Sequence, residues 1–182
     1  MITTSISLLE QVRQSDPAAW SRLCHLYGPI IYGWCRRAGL QPADAADVTQ
    51  EVFRTLYQHI QQFQPGSFRG WLHQVVVNQV RLFFRRQGRQ PRSADLTERA
   101  AQAESALSAI DEVQTRHLLI HRALGAIQGD FSARTWDIFT RLVLQGQPVH
   151  LVADEFNATP NSVRQIRFRV LKRLREQLDG LV

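Results

Sequence analysis

The chain has 182 residues and a formal net charge of +6, from 22 basic and 16 acidic side chains; 44% of its residues are apolar. This length suits one domain or two small ones. No stretch approaches a membrane span, and the N-terminus lacks the apolar core of a signal peptide, so the expectation is a cytoplasmic protein without membrane contact.

The charge is segregated. Lys172 is the single lysine, so 21 of the 22 basic residues are arginine. Arginine forks onto phosphates and guanine edges better than lysine does, although genome base composition produces the same bias. Six arginines and no acid lie between Gln64 and Ala94, and a second acid-free basic run covers residues 157–175. Two separate basic tracts point to two nucleic-acid contacts rather than one diffuse field.

In chain order the pattern is helical nearly throughout. Asp16 caps and Pro17 opens a helix in which Trp20, Leu23, Leu26, Tyr27, Ile30 and Ile31 follow helical spacing, and Gly39 closes it. Cys24 and Cys35 lie in this apolar stretch and read as free thiols of a reducing compartment. A second helix, from Asp44, has the stripe Val48, Val52, Leu56, Ile60 and Phe63. Asp44, Asp47, Gln50 and Glu51 give it an acidic, amide-bearing face. Part of that face suits a helix start, with Asp44 and Asp47 as a capping box. Gln50, Glu51 and Arg54 are left to meet a protein partner.

The third helix, "SFRGWLHQVVVNQVRLFFRRQGR", buries Phe68, Trp71, Leu72, Val75, Val76, Leu82 and Phe83 by its spacing. On the other side Gln74, Asn78, Arg81 and Arg85 stand at i, i+4, i+7 and i+11, a polar ridge carrying only positive charge. Phe68, Arg69 and Trp71 lie at its start. Aromatic side chains beside a basic ridge stack unpaired bases; the plainer alternative is that Phe68 and Trp71 are core.

Gly88, Pro91 and "SADLTERAAQAESA" mark a partly helical linker. Helices resume over 113–127 and 132–144, the latter capped by Ser132 and ended by Gly146 and Pro148. "PVHLVADEFNATPNSVRQ" then reads as a short helix, a tight turn and a long helix. Asn157 tolerates the left-handed conformation of a C-cap, Thr159 or Asn161 caps the long helix, and the small Ala153 permits close approach. On the long helix Val163, Ile166, Val170, Leu171, Leu174 and Leu178 form one stripe. Gln165, Phe168, Arg169 and Lys172 point away from it, with Arg164, Arg173 and Arg175 on the flanks. A solvated amphipathic helix has the same stripe. The absence of acids before Glu176 and an outward Phe168 favour a helix-turn-helix whose second helix enters the major groove. The expected architecture is therefore all-α: two small helical domains (1–88 and 113–182), a linker at 89–112, and a helix-turn-helix in the second domain.

The stretch "DAADVTQEVFRTLYQHIQQFQPGSFRGWLHQVVVNQVRLFFRRQGR" resembles the first conserved domain of bacterial sigma factors of the extracytoplasmic-function type, and "SVRQIRFRVLKRLRE" resembles the recognition helix of that family's second domain. The resemblance implies a factor that carries RNA polymerase core enzyme to promoter DNA, with an anti-sigma factor as a further partner and no cofactor. It implies that Asp47, Gln50 and Glu51, with Asp44 beside them, grip the polymerase. It places Asn78, Arg81 and Arg85 over the melted −10 element, with the Gln64–Phe68 loop close to a flipped base. It assigns Arg164, Gln165, Phe168 and Arg169 to the −35 element, and Lys172 and Arg173 continue that face. Two features depart from the family pattern: Trp136 is unusual, and Ile166 and Arg167 stand in swapped order, so Arg167 is a candidate to lie along the core edge instead of reading bases.

An enzyme is not expected, because no Gly-rich phosphate loop, nucleophile elbow or paired carboxylate is present. His117 and His121 stand at i,i+4 but lack a third metal ligand of suitable spacing. The rival reading is a stand-alone, dimeric helix-turn-helix repressor or activator. Such a dimer requires a palindromic operator, whereas a sigma factor reads two dissimilar elements.

Overall fold

The computed structural model of the protein describes residues 7–63, 67–87, 93–109, 112–179 and 181. Among these, every regular element is helical: α1 (Leu8–Arg13), α2 (Pro17–Arg37), α3 (Pro42–His59), α4 (Phe68–Gln87), α5 (Ser93–Ser108), α6 (Glu112–Ile127), α7 (Ala133–Phe139), α8 (Val149–Glu155) and α9 (Pro160–Leu178). None of them is long and apolar enough to cross a membrane. The chain divides into two compact units, one reaching to Leu119 and one from Ile120 to Asp179.

In the N-terminal unit α2, α3, α4 and α5 pack side by side, with α1 against α2. Asp16 caps α2 by accepting from the amides of Ala18 and Ala19, and Gly39 ends it with φ of +83°. The core is built from Leu23, Tyr27, Ile31 and Trp34 of α2, Val48, Val52 and Leu56 of α3, and Leu72, Val76, Val80 and Phe84 of α4. Two expectations about α3 and α4 shift. α3 begins at Pro42, with Gln41 in the cap position and no side-chain cap bond, so Asp44 and Asp47 do not form a capping box. Pro42 presets the backbone of the first turn and carries no amide that would be left unpaired there. On α4 it is Phe84 that is buried, while Leu82 and Phe83 are half-buried.

The segment between 89 and 112 contains a packed helix. α5 lies against α4 and α2 and buries Ala103 and Leu107. Its alanine-rich sequence gives good helix propensity, and a narrow stripe of small and branched residues suffices to dock it. The markers Gly88 and Pro91 lie outside the described residues.

The C-terminal unit folds around Ile127, Ile138, Phe139, Val152, Ala153, Val163, Ile166 and Val170. Trp136, singled out for its rarity, stacks on Phe131 at 6.5 Å and tilts against Phe139 at 5.5 Å, so its role is packing. Ser132 caps α7, which runs on as one π-helical turn, Thr140–Leu144. Thr159 caps α9 by accepting from the Ser162 amide. Asn157 takes φ of +46° between α8 and α9.

The two cysteines are free. Burial pushes the Cys35 thiol up to about 12, against a hydrogen bond with Thr49 that pulls it down, and burial also raises Cys24. The thiolate is the reactive form, so Cys35 is inert in the folded protein. An aromatic disulfide reagent at pH 8 is expected to label half-buried Cys24 first and Cys35 at the rate of unfolding; equally fast labelling of both would refute this. Phe139→Ala is expected to destabilise the C-terminal unit by about 3–5 kcal/mol, the usual cost of emptying an aromatic core position. Urea unfolding followed by far-UV dichroism checks it, and a change below about 1 kcal/mol would contradict the central place of this ring.

Candidate polymerase and nucleic-acid interfaces

On α3 the buried positions Ala45, Val48, Val52 and Leu56 turn the opposite side outward. Asp44, Asp47 and Glu51 stand there at i, i+3 and i+7. Asp47 and Gln50 are exposed, and Asp44 is half-buried. Glu51 is not free as expected: Arg54 Nη1 pairs with its carboxylate at 2.5 Å. One turn further on, Tyr57 is 62% exposed and meets Trp20 edge-on at 5.3 Å, while Phe53 meets the same indole at 6.1 Å. The acidic face thus continues into an aromatic one. Alternating apolar and polar spacing hides this feature, because Trp20 comes from another helix.

The start of α4 is set by aromatic packing. Ser67 Oγ accepts from the Gly70 amide at 3.1 Å and opens the helix. Phe68 is 1% exposed, with Tyr27 at 5.4 Å, Phe63 at 5.8 Å and Trp71 at 5.9 Å. Its ring is therefore core and cannot stack on a base, which corrects the expectation for Phe68. Trp71 is half-buried, with Phe63 packed on it at 5.1 Å. Phe63 is itself fixed from α1: the Arg13 guanidinium donates to its carbonyl and lies over its ring at 5.6 Å. Arg69 is half-buried, and its charge acts on Tyr27, whose hydroxyl burial raises above its ordinary range. Gln64, Pro65 and Gly66, the rest of the loop expected near a flipped base, lie outside the described residues.

The ridge along α4 is formed as expected, but it is partly occupied. Gln74, Asn78, Arg81 and Arg85 are all exposed. The Gln74 amide donates to Asn78 Oδ1 at 3.2 Å. Arg81 is held by Glu104 of α5 through Nε–Oε1 at 2.5 Å and Nη2–Oε2 at 2.8 Å. His73 Nε2 lies 3.0 Å from the Leu107 carbonyl, and the Arg99 guanidinium lies over Phe84 at 5.8 Å. Sequence spacing had no way to show Glu104, because the helix that carries it reads as linker.

In the C-terminal unit α9 buries Val163, Ile166, Val170 and Leu178 and keeps Leu171 and Leu174 half-buried. Arg164, Gln165, Phe168, Arg169 and Lys172 are exposed, Phe168 at 63%. Arg167 is exposed as well. Arg173 is half-buried and its Nε bonds Asp130 Oδ2 at 2.7 Å. The turn that sets the approach of α8 to α9 is tied down by backbone. The Ala158 amide donates to the Ala153 carbonyl at 2.8 Å, and Arg134 donates to the Phe156 carbonyl. Arg141 pairs with Glu155 at 3.0 Å and covers the Phe156 ring.

Residues 23–90 match the family model of sigma-70 region 2. Over 76 residues the chain is 34% identical to the ECF RNA polymerase sigma factor SigE of Mycolicibacterium smegmatis. That stretch covers 42% of this chain and 30% of the relative. The family match reaches from α2 to just past the end of α4 and takes in both the acidic face and the basic ridge. Over this domain the chain is similar to sigma-70 region 2, and its likeness to SigE extends over less than half of either chain.

Proposed function

We propose that the protein is a transcription initiation factor: it binds RNA polymerase core and directs it to promoters, using the N-terminal unit to hold melted −10 DNA and the C-terminal unit to read the −35 element. The observation that carries this reading is the sigma-70 region 2 match, which falls on the segment where an acidic helix face and an acid-free basic ridge stand on adjacent helices. Opposite charges on neighbouring elements suit two different partners, a protein surface on α3 and a phosphate backbone on α4.

On α3, Asp47 and Gln50 are the accessible members of the polymerase set, and Glu51 acts with Arg54 as a pair. On α4, Asn78 presents an exposed amide suited to a base edge, and Arg85 presents charge to phosphate. Trp71, half-buried where Phe68 is enclosed, is the aromatic side chain left to stack on an unpaired base. The pair α8–α9 has the layout of a helix-turn-helix. A short helix, a left-handed Asn157 and a capped long helix hold the face of Gln165 and Arg169 outward for the major groove. Arg164, Phe168, Lys172 and Arg173 extend the same contact along the groove wall.

The test is transcription from a random promoter library by purified polymerase core, with and without the protein. Enrichment of two dissimilar elements at fixed spacing supports the reading; enrichment of a palindrome, or no transcript above core alone, sinks it. Asp47→Arg with Gln50→Ala is expected to weaken co-purification with core by at least tenfold at unchanged helicity. Unchanged co-purification would remove α3 from the interface. For the C-terminal unit, Arg169→Ala is expected to cost roughly 1–3 kcal/mol of discrimination at one −35 position, as a lost bidentate base contact does. Binding of the protein to a −35 duplex library across salt concentrations checks this. If only the salt slope changes, by about one, Arg169 contacts phosphate instead.

A further inference from the structure

The ridge on α4 meets an internal partner at its third position. Arg81 engages Glu104 through Nε and Nη2, the two-donor edge that a guanidinium also turns toward two oxygens of a phosphodiester. Carboxylate and phosphate cannot occupy that edge together. Both partners are open to solvent, Arg81 at 47% and Glu104 at 35% side-chain exposure, so the pair can open without uncovering a core. The pairing holds the Glu104 carboxyl below its ordinary range and lifts Arg81 above its own, through the hydrogen bonds first and the mutual charge after.

The anchorage of α5 does not depend on this pair. Ala103 and Leu107 are buried, the Leu107 carbonyl meets His73, and Arg99 covers Phe84. Glu104 can therefore leave Arg81 by a side-chain rotation while its helix stays docked. The neighbouring ridge amides, Gln74 and Asn78, bond one another and make no claim on the arginine in the structure.

We propose that Glu104 is a built-in competitor for Arg81, a carboxylate that stands where a backbone phosphate of single-stranded DNA docks on α4 and that the strand displaces. This rests on the single-strand role proposed for the ridge. The competitor lowers the affinity of the free protein for arbitrary strands, because each encounter first breaks the internal pair. It leaves the exposed Arg85 to make the first contact. Glu104 acts through Arg81 and is a positioning residue; it does not touch the DNA.

The experiment uses the full chain and a fluorescein-labelled random single strand of about 12 nucleotides, a length matched to a stacking groove. Anisotropy titrations compare the parent, Glu104→Gln, Arg81→Gln and the double variant. Glu104→Gln is expected to bind about threefold tighter, the factor to which the contribution of an exposed ion pair converts. Its salt slope is expected to steepen by up to about 0.7, the share of one newly counted phosphate contact on a single strand. Arg81→Gln is expected to bind more weakly, and the double variant to match it, because without Arg81 there is nothing to release. Glu98→Gln, on the same helix and with the same change of charge, is expected to match the parent.

A gain of equal size in the Arg81→Gln background, or in Glu98→Gln, overturns the proposal by showing a general field effect. Weaker binding by Glu104→Gln overturns it by showing that the carboxylate orients Arg81 for the strand. If Glu104→Gln loses helicity, Glu104→Ala is expected to give the same gain, and its failure to do so has the same force. Loss of all binding, parent included, overturns the ridge reading itself and the competitor with it, a result distinct from a binding parent that shows no gain.

Discussion

The burial of one side of α4 governs everything that its other side does. Leu72, Val76, Val80 and Phe84 recur at four-residue intervals and sit within the core. That row fixes the rotation of the helix about its axis, because turning it by one residue would expose four large side chains, each costing about 1.5–3 kcal/mol. Gln74, Asn78, Arg81 and Arg85 keep a common outward azimuth for the same reason. Phe68 strengthens the constraint at the N-terminal end. Its ring is enclosed by Tyr27, Phe63 and Trp71, so the helix start is positioned from α2 and from the segment just after α3. An aromatic residue that looks like a ligand contact in the sequence is here the peg that places one.

A second theme is the handling of arginine charge. Several guanidinium groups that look free in the sequence are held by carboxylates: Arg54 by Glu51, Arg81 by Glu104, Arg141 by Glu155 and Arg173 by Asp130. All are at least partly exposed, so their value to stability is small. Their effect lies in geometry. A guanidinium held by a carboxylate has one orientation instead of many, and it lends less to the long-range field that attracts polyanions. The basic tracts of the sequence therefore overstate the positive potential of the folded surface.

The apolar stripes were the legible part of the fold. The stripe of α9 named six positions, and four of them are buried while Leu171 and Leu174 are half-buried. The caps at Asp16 and Ser132 and the left-handed Asn157 were equally plain, since each depends on a residue and its immediate neighbours, while Thr159 and Asn161 both remained open as the cap that Thr159 provides. Features that depend on pairs far apart in sequence were not legible. The helix α5 has too weak a stripe to announce its packing, and Glu104 meets Arg81 across 23 residues. The aromatic group of Trp20, Phe53 and Tyr57 assembles from two helices. At the candidate sites, the outward faces of α4 and α9 followed directly from periodicity. The tertiary structure was needed to decide between the two readings of Phe68 and to show the engagement of Arg81, Glu51 and Arg173.

The π-helical turn at Thr140–Leu144 has a consequence for how the C-terminal unit tolerates change in chain length. A π turn holds one more residue than an α turn over nearly the same rise. It behaves as an insertion already absorbed into α7, with the surplus carried between the buried Phe139 and the left-handed Gly146. Removing one residue within this turn would relax the backbone toward an ordinary α-helix and leave the register of Ile138 and Phe139 in place. The same deletion inside α9 would rotate every later side chain by about 100° and carry the outward face into the core. A one-residue deletion is thus absorbed ahead of the α8–α9 pair and not within it.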